Sequence, residues 1–96
     1  SALVEEAVSV GDVVRLFAMG KGDTNLVEIT LPDGAPAVGK TVQEVQLPQG
    51  ASFAAIVRDG MVIVPHAQDL FTAGDELIFV ATNDAEDKLK ICFMDN

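Results

Sequence analysis

The stretch that decides the fold is Ala51-Ser52-Phe53-Ala54-Ala55-Ile56-Val57-Arg58-Asp59-Gly60-Met61-Val62-Ile63-Val64. Asp-Gly between two apolar runs is the strongest short signal for a β-hairpin, because the tight turn needs residues that accept positive φ angles. The pattern predicts a strand over residues 51–58, a two-residue turn, and a partner strand over residues 61–64. Pro65 ends the partner strand, since proline has no amide hydrogen to donate.

Two further elements are predicted on the C-terminal side of this hairpin. After a polar connection, an apolar run predicts a third strand over residues 76–82. Asn83 or Asp84 is then expected to cap a terminal helix over residues 85–93. Connections this short make the last three strands antiparallel neighbours. The buried side of the helix is expected to comprise Leu89, Ile91, Cys92 and Phe93.

The N-terminal half adds a second hairpin and a short helix. Runs of apolar residues predict strands over 13–19 and 26–31, with Asp12 as the cap of a short helix left as the alternative. Two prolines make residues 32–36 a loop, and a helix is predicted over residues 38–47. The fold class that follows is α+β: a two-layer sandwich with a mostly antiparallel sheet and helices on one face. The apolar face of the short helix carries Val38, Val42 and Val45.

One stretch in the loop matches the phosphate-binding pattern G-x-x-x-x-G-K-[ST], namely Gly34-Ala35-Pro36-Ala37-Val38-Gly39-Lys40-Thr41. Pro36 has no amide to donate to a phosphate, and the antiparallel strands differ from the parallel sheet that such nucleotide hydrolases use. We interpret the match as coincidental, with Lys40 solvated. His66 and Cys92 are the single histidine and cysteine and lie in unrelated segments, so we predict no catalytic residues and no enzyme.

Composition narrows the classes of partner. The 96 residues allow one domain, and 15 acidic residues against 6 basic ones give a net charge of −9. A charge of this sign disfavours binding to nucleic acid and to an anionic membrane surface. The acidic residues lack the spacing of a calcium loop, so no metal site is predicted, and no apolar run is long enough to span a membrane. A chain this short is close to marginal stability, which burial against a second copy would improve.

Three motifs in order resemble the RCK-C (TrkA-C) domain: residues 32–48, residues 55–65 and residues 69–80. In that family the domain follows a Rossmann-type nucleotide-binding domain in cytosolic regulators of potassium uptake systems. Similar domains occur in potassium channels and in cation/proton antiporters. The resemblance implies that residues 1–10, which carry a helical pattern, are the end of a helix that links to a preceding domain. Residues 11–96 would form the RCK-C domain itself.

The resemblance also implies a function. Such domains form two-fold dimers, some bind cyclic di-AMP in the dimer cleft, and they regulate a membrane potassium transporter from the cytoplasmic face of the membrane. We therefore expect a homodimer that senses a ligand and gates its partner. The alternatives are a purely structural dimerisation module, with sensing in the preceding Rossmann domain, and the regulator of a cation/proton antiporter. By similarity, the ligand-binding residues would be Ala55, Val57, Arg58, Ile63, Pro65 and His66.

Overall fold

The computed structural model describes residues 12–20 and 22–95. Its elements are β1 (Val13–Met19), β2 (Thr24–Thr30), a 3-10 turn (Val42–Glu44), β3 (Ala51–Arg58), β4 (Met61–Ile63), β5 (Glu76–Thr82) and helix α1 (Asn83–Met94). Both predicted hairpins and the terminal helix are confirmed, but Ile91, predicted on the buried side of that helix, is 61% exposed. The helical pattern before β1 lies outside the described residues.

The five strands form one sheet in the order β1-β2-β5-β3-β4, and every neighbouring pair is antiparallel. With α1 on one face, this confirms the predicted α+β class. The prediction that the last three strands are neighbours is right for β3, which pairs with both β4 and β5. It is incomplete for β5, because this strand also pairs with β2 and so occupies the centre of the sheet.

The tight turn between β3 and β4 has the predicted geometry. Asp59 and Gly60 have φ angles of 51° and 78°, and Arg58 pairs directly with Met61. Positive φ at both central positions gives the turn the twist of the flanking strands. The two residues therefore fix the register of β3 against β4.

The core lies between the sheet and α1 and is built around four phenylalanines. The ring of Phe79 on β5 lies 4.7 Å from that of Phe53 and 5.3 Å from that of Phe93 on α1. Phe71, from the loop before β5, meets Phe93 edge-on at 5.4 Å. Aromatic pairs at these separations add stability beyond the area they bury. The loop is thereby fixed to the same core as the sheet and the helix.

The predicted helix over residues 38–47 is wrong in extent, since only the turn Val42–Glu44 is helical. Gly39 has a φ of 90°, outside the helical region. Its amide donates to Phe71 O, and the Val42 amide donates to Asp69 O, both at 2.9 Å. These bonds to another loop replace the bonds that a helix would make within itself. The apolar spacing instead serves a chain segment that packs on the core.

Helix α1 begins two residues earlier than predicted, and its cap is Thr82. The Thr82 hydroxyl accepts a hydrogen bond from the Ala85 amide at 3.2 Å, so neither Asn83 nor Asp84 is the cap. Asn83 has another role: its Oδ1 accepts a hydrogen bond of 2.7 Å from the side-chain Nδ2 of the buried Asn25 on β2. This side-chain bond ties the start of α1 to the sheet.

Candidate functional site: the open face of the sheet

One face of the sheet packs against α1, and the other face, here called the open face, is covered by no described element. Alternation along the strands assigns side chains to each face: Val27 and Ile29 on β2 are fully buried under α1, whereas their neighbours are only partly buried. Strand register extends the assignment across the sheet. The open face carries Val14, Phe17, Met19, Leu26, Glu28, Thr30, Ser52, Ala55, Val57, Val62, Glu76, Ile78 and Val80.

The open face is predominantly apolar. Phe17, on edge strand β1, is 66% exposed, and Val62, on the opposite edge strand, is 74% exposed. Between them, Ile78 and Val80 of the central strand are partly buried by their neighbours. Contiguous apolar surface of this extent on a soluble domain marks a site of interaction. The face is therefore the main candidate for a functional surface.

Two carboxylates interrupt this apolar face. Glu28 on β2 lies directly opposite Ile78, and Glu76 lies two residues along the same strand as Ile78. Burial raises the pKa of Glu28 above its ordinary value, and the negative charge of Glu76 raises it further. The open face thus concentrates negative charge near its centre, where no described cation lies among its side chains.

The predicted ligand-binding residues do not share one face. Ala55 and Val57 lie on the open face, opposite Ile78 and Glu76. Ile63 pairs with the buried Ile56 and packs on the core, on the other side of the sheet. Pro65 and His66 follow β4 in the adjoining loop, and the His66 side chain is 76% exposed. The ligand site stays a prediction, and its residues lie on both sides of the sheet and in the loop that follows β4.

Arg58 is the residue of that set whose surroundings are most specific. Its Nε and Nη2 atoms donate to the two carboxylate oxygens of Asp75 at 2.7 and 2.8 Å, and Nη2 also donates to Leu70 O at 3.0 Å. Asp75 is fully buried and accepts a further bond from the Thr72 amide at 2.9 Å. The hydrogen bonds with Asp75 raise the pKa of Arg58, so the guanidinium remains charged. Arg58 therefore links the end of β3 to the loop before β5, and Nη1 is the part left for a ligand.

The phosphate-binding pattern at residues 34–41 has its backbone amides committed elsewhere. The amides of Val38 and Lys40 donate to carbonyl oxygens within the loop, and that of Gly39 donates to Phe71 O. A phosphate cradle needs these amides pointing at the ligand. Thr41 instead donates its amide and hydroxyl to the Glu44 carboxylate, at 2.7 and 3.0 Å, which lowers the pKa of Glu44. The geometry supports the interpretation that the match is coincidental.

Reasoning from sequence missed the open face as a site, although β5 carries a signal for it. Residues 77–81 of that strand are all apolar, and a continuous apolar run indicates a strand covered on both faces. The described helix covers one face only. What covers Ile78 and Val80 on the other face is not found among the described residues.

A metal centre and a membrane-spanning helix are two other classes of site that bear on the described residues. Among them, no group of three or more histidine, cysteine, aspartate or glutamate side chains is arranged to hold a metal ion. Within the same residues, no helix has both the length and the hydropathy needed to cross a lipid bilayer.

The known proteins similar to this chain carry related names. The model of the TrkA-C domain matches residues 26–90. The Trk system potassium uptake protein TrkA of Mycobacterium tuberculosis is 51% identical over 89 residues, which are 93% of this chain and 40% of that protein. A TrkA homolog of Archaeoglobus fulgidus is 25% identical over 95 residues, or 96% of this chain and 22% of that protein. The chain thus spans two fifths or less of the length of these relatives.

The domain match includes β2 through most of α1, and so contains the three motifs on which the resemblance rested. The fold agrees with it, since the sheet and its single described helix have the expected α+β architecture. The predicted domain boundary at residue 11 stays a prediction. The chain belongs to the TrkA-C domain family.

Proposed function

We propose that this chain is a regulatory domain of a potassium uptake system, and that it works as a dimer formed through the open face of the sheet. The observation that carries the proposal is the apolar face around Ile78, which no described element covers. Relatives named as potassium uptake proteins supply the physiological setting. The occupant of the face is then a second copy of the chain.

The size of the face suits a second copy. Four strands of about seven residues and one of three, about 4.8 Å apart, cover about 490 Å². A specific interface buries about 800 Å² on each partner. The exposed side chain of Val64, two residues beyond Val62, extends the apolar surface at one edge of the face. A self-complementary contact between two such faces is also the symmetry that most homodimers use.

A dimer of this kind can transmit a signal without catalysis. Two arrangements of the subunits that differ slightly in free energy can be biased by any ligand that binds one of them better. The bias would pass through the chain that precedes β1 to a membrane transporter subunit. If the dimer has one arrangement only, the domain is a structural module, and the regulation lies elsewhere in the full-length protein.

Sedimentation velocity on this chain tests the proposal. The wild type is expected to sediment with twice its monomer mass of 10.1 kDa. Ile78→Arg places a charge at the centre of the open face and should yield a folded monomer. Ile91→Arg is the matched control, because Ile91 is 61% exposed on α1 and lies away from the face. A monomeric wild type, or a dimer that survives Ile78→Arg, would exclude this interface.

The cyclic di-AMP site is proposed separately, at the end of the β3–β4 hairpin. Its support is Arg58, one-third exposed at the end of β3, and His66, exposed in the loop that follows β4. Against it, Asp75 already occupies one edge of the guanidinium, and the open face nearby carries two carboxylates. Calorimetric titration with cyclic di-AMP tests the site, with His66→Ala as the variant expected to weaken binding. If no heat is released at ligand concentrations that saturate known nucleotide sites, the cyclic di-AMP site is excluded. The dimer proposal does not depend on this result.

A further inference from the structure

We propose that acidification strengthens the association of two copies through the open face, because that contact would bury the carboxyl groups of Glu28 and Glu76. This inference rests on the dimer proposed above and concerns its regulation. It makes the domain responsive to pH as well as to any ligand.

Glu28 lies close to the centre of the face, and Glu76 is the first residue of the middle strand. β5 is the middle strand of the five, and Ile78 is near its midpoint. Glu28 is opposite Ile78 on the adjacent strand, about 5 Å away, and Glu76 is about 7 Å away along the same strand. A two-fold contact centred on the face therefore covers both groups and brings their counterparts from the partner nearby.

The surroundings of the pair offer little compensation for its charge. From β1, Val14 lies opposite Glu28, and from β3, Val57 lies opposite Glu76. The remaining open-face residues of β2, β3 and β4 are uncharged. Arg58 follows the open-face residue Val57 in sequence, but its side chain is bound to Asp75 on the other side of the sheet. Asp12 precedes β1, and its side chain contacts Lys90 at 3.5 Å.

The sign of the pH effect follows from burial. Partial burial already raises the pKa of Glu28 in the single chain, with a smaller contribution from the charge of Glu76. Complete burial in a dimer would raise it further, since an ionised carboxyl loses more solvation than a neutral one. The dimer then binds more protons than two separate chains do. The dissociation constant of the dimer therefore falls as the pH drops from the pKa of Glu28 in the dimer to its pKa in the single chain. The fall is up to about tenfold per pH unit for each proton taken up.

The dissociation constant of the dimer, measured by sedimentation equilibrium from about pH 7.5 to about pH 5, tests the inference. The wild type is expected to associate more tightly at the lower pH. Glu28→Gln should associate more tightly than the wild type at pH 7.5, and its dissociation constant should change less with pH. Asp87→Asn is the matched control, because it removes the same charge from an exposed position on α1 and reports the general effect of net charge.

The outcomes separate this inference from the dimer on which it rests. A chain that stays monomeric at every pH overturns the proposed dimer. A dimer whose dissociation constant is independent of pH, or changes equally in the wild type and in Glu28→Gln, overturns the pH dependence alone. Far-UV circular dichroism of each variant confirms that it is folded, and Glu76→Gln provides a second variant with the same expected direction.

Discussion

Replacing Arg58 by methionine tests whether this residue has a structural role. The substitution keeps an unbranched side chain of similar length and removes three hydrogen bonds, two of them to Asp75. Asp75 is fully buried, and among the described residues its carboxylate would keep only the hydrogen bond from the Thr72 backbone amide. The loop that carries Phe71 into the core would lose its hydrogen-bonded connection to β3 and keep the ring contact between Phe71 and Phe53.

The expected loss follows from the burial of the two partners. Removing one partner of a buried ion pair costs about 3–5 kcal/mol, because the other charge is left uncompensated. Arg58 is 33% exposed, so water can reach the vacated space and replace part of the interaction. We therefore expect a loss of about 2–3 kcal/mol. A chain of this length has roughly 5–14 kcal/mol of stability, so the variant should fold and be measurably weakened.

Urea unfolding followed by circular dichroism measures this loss, since the chain has no tryptophan or tyrosine to report by fluorescence. Lys90→Met is the control: its partner Asp12 is 3.5 Å away and both are about half exposed, so the expected change is within about 0.5 kcal/mol. Adding Asp75→Asn to Arg58→Met should restore part of the stability by removing the uncompensated charge. A loss below about 1 kcal/mol, or one equal to that of the control, would refute a structural role for Arg58.

Three more outcomes are expected. Gly50→Ala should lower the free energy of unfolding by about 2 kcal/mol, because Gly50 has a φ of 93° and a methyl group there would lie 2.8 Å from the Thr82 hydroxyl that caps α1. Gly34→Ala, whose methyl group would meet no atom within 4 Å, is its control in the same urea titration. Glu28→Gln should raise the free energy of unfolding at neutral pH by about 0.2–1 kcal/mol in dilute, monomeric samples. Because the folded pKa of Glu28 is raised, this gain should shrink as the pH falls through that pKa towards the ordinary value of 4.5, and a gain that grows on acidification would contradict the reasoning. Lys40→Ala should leave the free energy of unfolding and the rate of phosphate release from ATP unchanged, because Lys40 is exposed and the amides of the preceding loop donate to carbonyl oxygens of the chain. Phosphate release that is lost in this variant would contradict the expectation.

Local sequence determined the elements that depend on near neighbours. Asp59 and Gly60 accept positive φ angles, so the turn and the strands on both sides of it are fixed within the hairpin itself. The alternation of apolar residues in β2 similarly specifies which face of that strand is buried. The motifs that carry the family resemblance are of the same local kind, which is why they were readable in order along the chain.

The short helix predicted over residues 38–47 shows where local patterns stop being sufficient. Val38, Val42 and Val45 have helical spacing, and all three pack on the core, yet only one helical turn forms. The amides of Gly39 and Val42 bind carbonyl oxygens of the loop before β5. No pattern within the segment reveals that this competing partner is available, because it lies some thirty residues along the chain.

The candidate site shows the same division. The sequence by itself determined the residue types: an apolar run in β5, an arginine at the end of β3, and a glutamate in each of β2 and β5. Only the tertiary structure decided that Arg58 meets Asp75 and that Glu28 and Glu76 share an apolar face. The physical reason is that strand order depends on the packing of all five strands and α1 together. Inserting β5 between β2 and β3 brings Glu28 beside Glu76 although they are distant in the chain, and leaves one face of the central strand uncovered.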